Sequence, residues 1–354
     1  MFSLANPTRA KARDFKSPLR NPRSPAGGFV KLQAFAKINL FLDVVAKRSD
    51  GYHDIFSVMQ SVSLSDEIEL RRVGGSRKVR LVCDEPTLPT DGRNLVVKAA
   101  DALIRECGIF EGIDIFLTKR IPSGAGLAGG SSDCAATLLG INELFNLNIS
   151  LRRLLEIGKS LGADVPFCLT GGTAITEGIG EKITPIRPCP PCCIVVATPE
   201  IHISTPEIFS RLDAGNFNNV PAREKFLFAL NEKNNSKKNI SQIANSLYNV
   251  FTPITAALYP EIFDLIAQLK GLGAEGAEMS GTGSAVFAVF ADKNAAESAA
   301  AAINCKAFIC TPVILTNRNF FQKSSEVSVR EQPSARNESE LLSFHEYNRK
   351  DWSV

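Results

Sequence analysis

The sequence lacks a long apolar run and carries little net charge. None of its uninterrupted apolar segments approaches the about 18–20 residues that a bilayer requires, so we expect no membrane span. The formal net charge is +3, and most of the basic surplus lies in residues 1–28, which leaves the rest of the chain slightly acidic. This charge balance gives no indication of a nucleic-acid-binding surface.

The sequence has only three histidines, and its cysteines follow no clear disulfide pattern. Its nine cysteines are odd in number, lie mostly in apolar segments and follow no secretory leader, which favours reduced thiols in the cytoplasm. The cluster CPPCC at 189–193 is similar to a metal knuckle, but a closed zinc site needs a fourth ligand and the chain has only three histidines. The alternative interpretation is a turn that leads into a buried strand, CIVVAT.

Two terminal segments have the composition of unfolded chain. Residues 1–28 are rich in Arg, Ser and Pro without periodicity, and we expect a disordered basic extension there. Such a segment is also compatible with a transit peptide, which would place the protein in a plastid-like organelle instead of the cytoplasm. Residues 319–354 are polar with few apolar positions and are predicted to form a second disordered tail.

Between these tails, strand and helix patterns interleave. FAKINLFLDVV alternates, so that Lys37, Asn39, Phe41 and Asp43 are expected on one face of a strand. Apolar residues at helical spacing predict helices at 94–107 and in the segment after residue 131. The same spacing predicts a helix over LRRLLEIGKSLG, and we expect this helix to end at Gly162. Further helices are expected near 206–213, 240–249, 260–270 and 293–302. The irregular order of these elements predicts an α+β protein of two domains.

The stretch PSGAGLAGGSSDCAATLL, residues 122–139, combines many glycines with two serines and a following helical pattern. The pattern GxGxxG is typical of a dinucleotide-binding loop, which directly follows a strand and has an acidic residue about 20 positions later. Here Pro122 separates the loop from the preceding strand, and the acid nearest that distance, Glu143, lies inside a predicted helix. A Walker-type loop fails because position 130 is Gly and no lysine follows before Lys159. Glycines that expose backbone amides before a helix start favour a different phosphate cradle, and a turn needed only for packing is the alternative.

Five short motifs occur in order along residues 30–315: AKINLFL, DGYH, PSGAGLAGGSS, GADVPF and SGTGSAVF. Together they resemble the kinases of galactose, homoserine, mevalonate and phosphomevalonate, the GHMP superfamily. The set is most similar to the branch whose alcohol substrate carries a cytidyl diphosphate group. The DGYH motif favours this branch over a homoserine or mevalonate kinase. A metabolite sensor of the same fold is the remaining alternative, although Lys37 and Asp164 are both present.

This resemblance implies a GHMP kinase fold. It places a ribosomal S5 domain 2-like ATP-binding domain at 29–184 and a ferredoxin-like domain at 185–318, with the active site between them. It also implies ATP and Mg²⁺ as cofactors, a small-molecule substrate, and a monomer or weak homodimer.

The implied ATP-binding residues are Pro122, Ser123, Gly124, Ala125, Gly126, Leu127, Ala128, Gly129, Gly130, Ser131 and Ser132. Ser131 or Ser132 suits the N-cap of the following helix, and Ser132 is the expected metal ligand.

Phosphoryl transfer to an alcohol needs placement, cations and a group that takes or orients the hydroxyl proton. Asp164 follows Gly162 and Ala163 at a predicted bend, where it either faces a cleft or caps a turn. The resemblance implies the catalytic role, with Lys37 paired to Asp164 beside the transferring phosphoryl group. Asn39 is expected to hydrogen-bond the substrate. The alternative interpretation of Lys37 is a surface lysine on an edge strand.

The resemblance also implies a substrate pocket at the cytidyl end. Tyr52 is expected to stack on the cytosine, His53 to hydrogen-bond its edge, and Phe209 to form the opposite wall. From the residues alone, DGYH would be a hairpin turn with a half-buried tyrosine. The remaining expected contacts come from Thr205 and from the SGTGS segment, at Gly281, Thr282 and Gly283. Ala128 stands where a glycine is common in the loop, and a methyl group there is tolerable if φ is negative.

Overall fold

The computed structural model describes residues 28–75, 77–212, 218–232, 237–314 and 329–330. The predicted extension at 1–28 lies outside these ranges except for Gly28, and so does most of the predicted carboxyl-terminal tail. The tail contributes one described element, a two-residue strand at Val329–Arg330. Every helix among the described residues is too short or too polar to cross a membrane.

The elements follow one another in an irregular order. Up to residue 185 they are β1 Phe29–Lys47, β2 His53–Val73, β3 Val79–Cys83, α1 Leu95–Cys107, β4 Gly112–Thr118, α2 Gly129–Leu144, α3 Leu151–Leu161, α4 Val165–Thr170, β5 Thr173–Gly178 and β6 Lys182–Pro185. They continue with β7 Cys193–Thr198, α5 Thr205–Ser210, α6 Val220–Asn231, α7 Lys237–Ala244, β8 Tyr248–Asn249, α8 Thr252–Leu258, α9 Glu261–Gly271, β9 Gly276–Met279, β10 Val286–Phe290, α10 Lys293–Ala302, β11 Lys306–Cys310 and β12 Val329–Arg330.

The strands form two sheets. The first has seven strands. Five of them follow the order β3-β4-β2-β1-β8, β5 pairs with another part of β2, and β6 pairs with β5. Within it, β1 and β2 are long antiparallel neighbours, whereas the pairs β3–β4 and β1–β8 are parallel. The second sheet has five strands in the order β12-β11-β7-β10-β9, and its neighbours are antiparallel. Helices combined with mainly antiparallel sheets confirm the predicted α+β class.

Three apolar clusters cover both faces of the central strand β1. Leu32 and Ala34 pack with α1 and α2 on one side of the first sheet. Ile38, Leu40 and Phe41 join a second cluster that reaches β7 and β10 of the other sheet. The last buried part of β1 packs in a third cluster with α8, α9 and α10. Because β1 contributes to all three clusters, it connects the helical layer to the second sheet.

The simple alternation predicted for β1 is wrong. Residues 34–44 are all buried, because both faces of this strand are covered. Register shifts between Phe35 and Lys37 and between Asn39 and Phe41 interrupt the period of two, so Phe41 packs in the same cluster as Ile38 and Leu40. The alternative of a surface lysine on an edge strand is also excluded for Lys37, which is 4% exposed on a strand with neighbours on both sides.

The helices agree with the expectations where local capping signals are strong. The Asn94 side chain caps α1 by accepting from the amide of Val96, and the Ser150 side chain caps α3 by accepting from the amide of Arg153.

The predicted helix at 240–249 is wrong at its end: α7 stops at Ala244, and Tyr248–Asn249 form β8. The reason is tertiary, because the Asn249 side chain donates to the carbonyls of Met279 and Gly281 and fixes this segment beside β9.

Candidate active site

One cleft of about 1040 Å³ collects residues from all five sequence motifs. Its walls come from β1, the start of β2, the loop before α2, the start of α4, α5 and the turn between β9 and β10. Residues of the five motifs that line the cleft include Lys37, Asn39, Tyr52, His53, Gly124, Gly126, Gly129, Asp164, Gly281 and Thr282. The fold therefore gathers into one concave site most of the residues that the sequence singled out.

The glycine-rich loop is held tightly between β1 and the β9–β10 turn. The carbonyl of Gly126 accepts from Lys37 Nζ at 2.8 Å and from Ser280 Oγ at 2.9 Å. A Cβ built on Gly126 would lie 2.1 Å from the carbonyl oxygen of Ser280, and its φ is +77°. Only glycine fits such a close backbone approach with positive φ. The loop is thus fixed in shape before any ligand binds.

Helix α2 starts at this loop without a side-chain cap. Its N-cap is Ala128, so the expectation of a serine cap is wrong. Ala128 has φ at 57° and ψ at 29°, so the condition of a negative φ at this position is not met. The first amides of a helix have no partner inside the helix. Gly129, Gly130 and Ser131 line the cleft at this first turn. Uncapped amides at a positive helix end suit an anionic ligand such as phosphate.

The expectation that Ser132 ligates a metal is corrected by the structure. The Ser132 hydroxyl donates to the carbonyl of Phe35 at 2.6 Å, and the residue is buried away from the cleft. Gly283 is also buried outside the cleft lining, and a Cβ there would lie 2.9 Å from both Ile203 and Met279. Both residues therefore support the walls of the cleft from behind.

Lys37 and Asp164 meet across the cleft. Lys37 Nζ lies 3.9 Å from Asp164 Oδ2 and donates to Asn39 Oδ1 at 2.7 Å. Asp164 stands at the N-terminus of α4, but its side chain makes no capping hydrogen bond. This excludes the alternative of an ordinary capping aspartate. The Asp164 side chain is 31% exposed in the cleft, and the buried amine holds it at one end.

Asn39 connects β1 to the β9–β10 turn. Its Oδ1 accepts from the amide of Gly281 at 3.0 Å as well as from Lys37, and its Nδ2 donates to Ser57 Oγ at 2.9 Å. A contact between Asn39 and a substrate stays a prediction. The observed bonds show that Asn39 orients the Lys37 amine.

Aromatic side chains line the other end of the cleft. The ring of His53 lies 5.3 Å from that of Phe209, which in turn lies 4.5 Å from Phe251. Tyr52 is 61% exposed at the rim. Burial, and to a smaller extent the nearby Lys47, lowers the pKa of His53 below its usual 6.5. A neutral imidazole can both donate and accept a hydrogen bond.

Thr205 joins this aromatic end to the β9–β10 turn. Its hydroxyl lies 2.8 Å from that of Thr282, and both threonines line the cleft. Because Thr205 begins α5, which also carries Phe209, the contact fixes that aromatic wall against the turn.

A buried ion cluster next to the glycine-rich loop was not predicted from the sequence. Lys119 Nζ pairs with Asp66 and, at 2.7 Å, with Asp133 Oδ2. Lys119 and Asp133 line the cleft, whereas Asp66 lies behind them and accepts from the amide of Ile121 at 2.8 Å. Burial and the neighbouring Asp66 raise the pKa of Asp133 well above its usual range, against the opposing effect of Lys119. The signal in the sequence was an acid directly before the apolar run CAATLL.

The cysteine cluster contributes nothing to this site. Cys189 and Cys192 are buried, and β7 begins at Cys193. Within the described ranges, no three His, Cys, Asp or Glu side chains are arranged to hold a metal ion.

Comparison with protein-family models gives two matches. Residues 94–172 match the GHMP kinases N terminal domain, and residues 228–310 match the GHMP kinases C terminal domain. The first match covers the glycine-rich loop and Asp164, and the second covers the β9–β10 turn.

Curated relatives are similar over most of their length. A 4-diphosphocytidyl-2-C-methyl-D-erythritol kinase of Caldicellulosiruptor bescii is 42% identical over 287 residues, which are 81% of this chain and 97% of that protein. The protein of the same name from Exiguobacterium sibiricum is 43% identical over 266 residues, 75% of this chain and 91% of its own.

Solved structures show the same fold. A crystal structure of a 4-(cytidine 5'-diphospho)-2C-methyl-D-erythritol kinase superposes with a TM-score of 0.67 at 32% identity, covering 79% of this chain and 98% of the other. The homoserine kinase of Cytophaga hutchinsonii superposes with a TM-score of 0.64 at 21% identity, covering 83% and 97%. The latter likeness concerns the fold alone.

Proposed function

The chain belongs to the 4-diphosphocytidyl-2-C-methyl-D-erythritol kinases of the GHMP superfamily, and we propose that it phosphorylates the 2-hydroxyl of that cytidyl alcohol with ATP. This reaction is a step of the non-mevalonate (MEP) route to isoprenoid precursors. The observation that carries the proposal is the convergence of all five motifs in one cleft, with Lys37 and Asp164 facing each other in it.

The triphosphate of ATP binds at the glycine-rich loop. The uncapped first turn of α2 offers amide donors and the positive end of the helix, and the glycines leave room for the phosphates. The same cleft continues to Leu88, Pro89, Asn94 and Leu95, and Leu95 lies close to Gly130. This mainly apolar extension, adjacent to the loop, accommodates the adenosine part of ATP.

Asp164 accepts or orients the proton of the substrate hydroxyl. Its carboxylate is exposed to the cleft at the start of α4, where no backbone amide competes for it. Lys37 lies beside this carboxylate and offsets negative charge on the transferring phosphoryl group. The bonds from Lys37 to Asn39 and Gly126 hold the amine in position, so it need not reorganise during the reaction.

The cytidyl group of the substrate binds at the aromatic end. His53 and Phe209 form one side of this region and Tyr52 stands at the rim, so a pyrimidine can lie against aromatic faces. His53 hydrogen-bonds the edge of the base. Thr205, Gly281 and Thr282 contact the sugar alcohol or its diphosphate, because they line the cleft between this end and Lys37.

ATP enters the site as its magnesium complex. A magnesium ion on the triphosphate neutralises charge as the phosphoryl group moves.

The domain limits at 29–184 and 185–318 stay predictions, and so does cytoplasmic localisation. Residues 1–27, on which the organellar alternative depends, lie outside the described ranges. The expectation of a monomer or weak homodimer also stays a prediction.

The proposal is tested with the purified protein, ATP and three alcohols: the cytidyl alcohol, homoserine and mevalonate. A coupled assay for ADP should show turnover with the cytidyl alcohol only. Phosphorus NMR of the product should place the new phosphate on the 2-hydroxyl. Turnover with homoserine or mevalonate instead would assign the chain to another activity of the superfamily, and tight ATP binding with no turnover would indicate a sensor.

A further inference from the structure

Four basic side chains line the cleft, and three of them have a carboxylate partner. Lys37, Arg93 and Lys119 each lie within ion-pair distance of an aspartate. The fourth is Lys47, which ends β1 and forms no ion pair with an acidic side chain in the part of the chain that the structure describes. Lys47 is therefore the cleft cation of this part that remains available to an anionic ligand.

The aspartates nearest to Lys47 in the sequence are engaged by other groups. Arg48 Nη2 lies 2.7 Å from Asp50 Oδ2, and Arg48 Nη1 lies 3.2 Å from Asp54 Oδ1. Asp43 is buried, and its carboxylate accepts from three backbone amides. The local sequence thus pairs its arginine and leaves its lysine to the cleft.

Lys47 belongs to the aromatic end of the cleft. It lies directly opposite His53 in the β1–β2 ladder, where side chains of opposed residues share a face with their Cβ atoms about 4.5–5.5 Å apart. The contribution of Lys47 to the lowered pKa of His53 agrees with this proximity. The acids that line the cleft among the described residues, Asp133 and Asp164, lie near the glycine-rich loop and at the reacting end. The aromatic end therefore presents positive charge.

The proposed substrate carries its negative charge on a diphosphate, and one of the two phosphates is attached to the ribose beside the base. A cytosine held at His53 and Phe209 brings this phosphate to the aromatic end, where the other expected contacts, Thr205 and Thr282, are uncharged. A lysine amine carries three donors on a flexible four-carbon stem, so it can follow such a phosphate. We propose that Lys47 binds the diphosphate of the cytidyl substrate at the phosphate next to the ribose, an inference that rests on the proposed kinase function.

This contact concerns substrate binding and not the chemical step. Lys47 ends β1, whereas Lys37 lies in the middle of that strand and faces Asp164. An interaction that is equal in the ground state and the transition state changes KM and leaves kcat as it is. Replacement of Lys47 should therefore raise KM for the cytidyl alcohol at unchanged kcat and unchanged KM for ATP. Because the residue is exposed, its attraction to the phosphate is screened by salt.

The test compares cytidine with cytidine 5'-diphosphate (CDP) as probes. The protein is first saturated with a non-hydrolysable ATP analogue, so that both probes report on the substrate end, and calorimetry measures their affinities. The wild type should prefer CDP, and Lys47→Met should lose about tenfold in CDP affinity with the cytidine affinity unchanged. Lys98→Met, an exposed lysine of α1 outside the cleft lining, is the matched control and should keep both affinities.

Two further variants and a salt series make the result specific. Lys47→Arg should restore most of the CDP affinity, since a guanidinium also binds phosphate, and Lys47→Glu should lower it further than Lys47→Met. In the wild type, the preference for CDP over cytidine should fall as KCl is added, which requires no variant to fold. A preference that is independent of salt would contradict the proposal.

The remaining outcomes separate this contact from the proposed function. Equal losses of cytidine and CDP affinity in Lys47→Met would place Lys47 at the base, and unchanged affinities would show a solvated surface lysine; either result overturns the proposal while the kinase assignment stands. A wild type that binds neither probe and does not turn over the cytidyl alcohol would overturn the proposed function and the role of Lys47 together.

Discussion

Lys37 Nζ lies 3.9 Å from Asp164 Oδ2, and the two residues reach this distance from different elements. Lys37 is fixed on a central strand by bonds to Asn39 and Gly126, whereas Asp164 begins a short helix and faces the cleft. The amine is therefore immobile and the carboxylate accessible. This division suits a cation that stabilises charge and an acid–base group that must contact the substrate.

Replacement of Lys37 by Met should abolish most of the activity. The variant keeps the unbranched apolar stem of the side chain but removes the amine and its charge, and Gly126 retains Ser280 as a donor to its carbonyl. Removal of a preorganised donor that stabilises developing charge lowers kcat by a factor of about 10²–10³. Steady-state kinetics at saturating ATP measure the loss. Lys98→Met, an exposed lysine on α1, is the matched control, and an equal loss in both variants would contradict the assigned role.

Gly126→Ala should be more damaging than Gly124→Ala. Both glycines have positive φ, at +77° and +70°, so alanine carries a similar backbone cost of about 1–2 kcal/mol at either position. At Gly126 the added Cβ would also collide with the backbone of Ser280, whereas at Gly124 the nearest group is the His202 ring at 3.9 Å. The collision adds about 1–3 kcal/mol. Urea unfolding of both variants compares these free energies, and equal values would contradict the close approach.

Ala128→Gly should stabilise the protein. Ala128 has left-handed backbone angles, which cost a residue with a Cβ about 1 kcal/mol or more, and glycine removes that cost. The same substitution at Ala135, in the interior of α2, should destabilise the protein by about 1 kcal/mol because glycine is a poor helix former. Opposite changes in the free energy of unfolding are the expected result. A loss of stability in both variants would indicate that Ala128 is not strained.

The KM for the cytidyl alcohol should depend on the protonation of His53. Because the pKa of His53 lies below its usual 6.5, the imidazole is mainly neutral at pH 7, and KM should rise as the pH falls through the lowered pKa. The rise follows because the protonated ring loses its acceptor nitrogen. Kinetics across this range measure the effect. His53→Gln should remove it, and an unchanged profile in that variant would assign the titration to another group.

The fold class was predicted from the order of the strand and helix patterns, and the residues of the cleft from the resemblance of five motifs to the GHMP kinases. Local signals mark the start of some elements. Asn94 and Ser150 mark helix starts, and the glycines at 124 and 126 mark a loop of unusual backbone. These signals lie within a few residues of the structure that they determine.

The parts of the fold and of the site that were not predicted depend on tertiary contacts, which a local sequence pattern does not indicate. The bulges in β1 displace the alternation around Lys37 and Asn39, and the bonds from Asn249 make a strand where helical spacing suggested a helix. The buried ion cluster around Asp133 forms only when Lys119 and Asp66 are brought beside it. Sequence spacing identified Ser132 next to it, but the direction of each side chain was set by the packing of α2.

The most direct test of the account is the effect of Asp164→Asn on turnover and on nucleotide binding. Asparagine has the same shape but does not accept the proton, so kcat with ATP and the cytidyl alcohol should fall by about 10²–10⁴. The dissociation constant of a non-hydrolysable ATP analogue should stay unchanged, because the glycine-rich loop is intact. A variant that keeps its full kcat would contradict the central claim that Asp164 and Lys37 form the reacting end of this cleft.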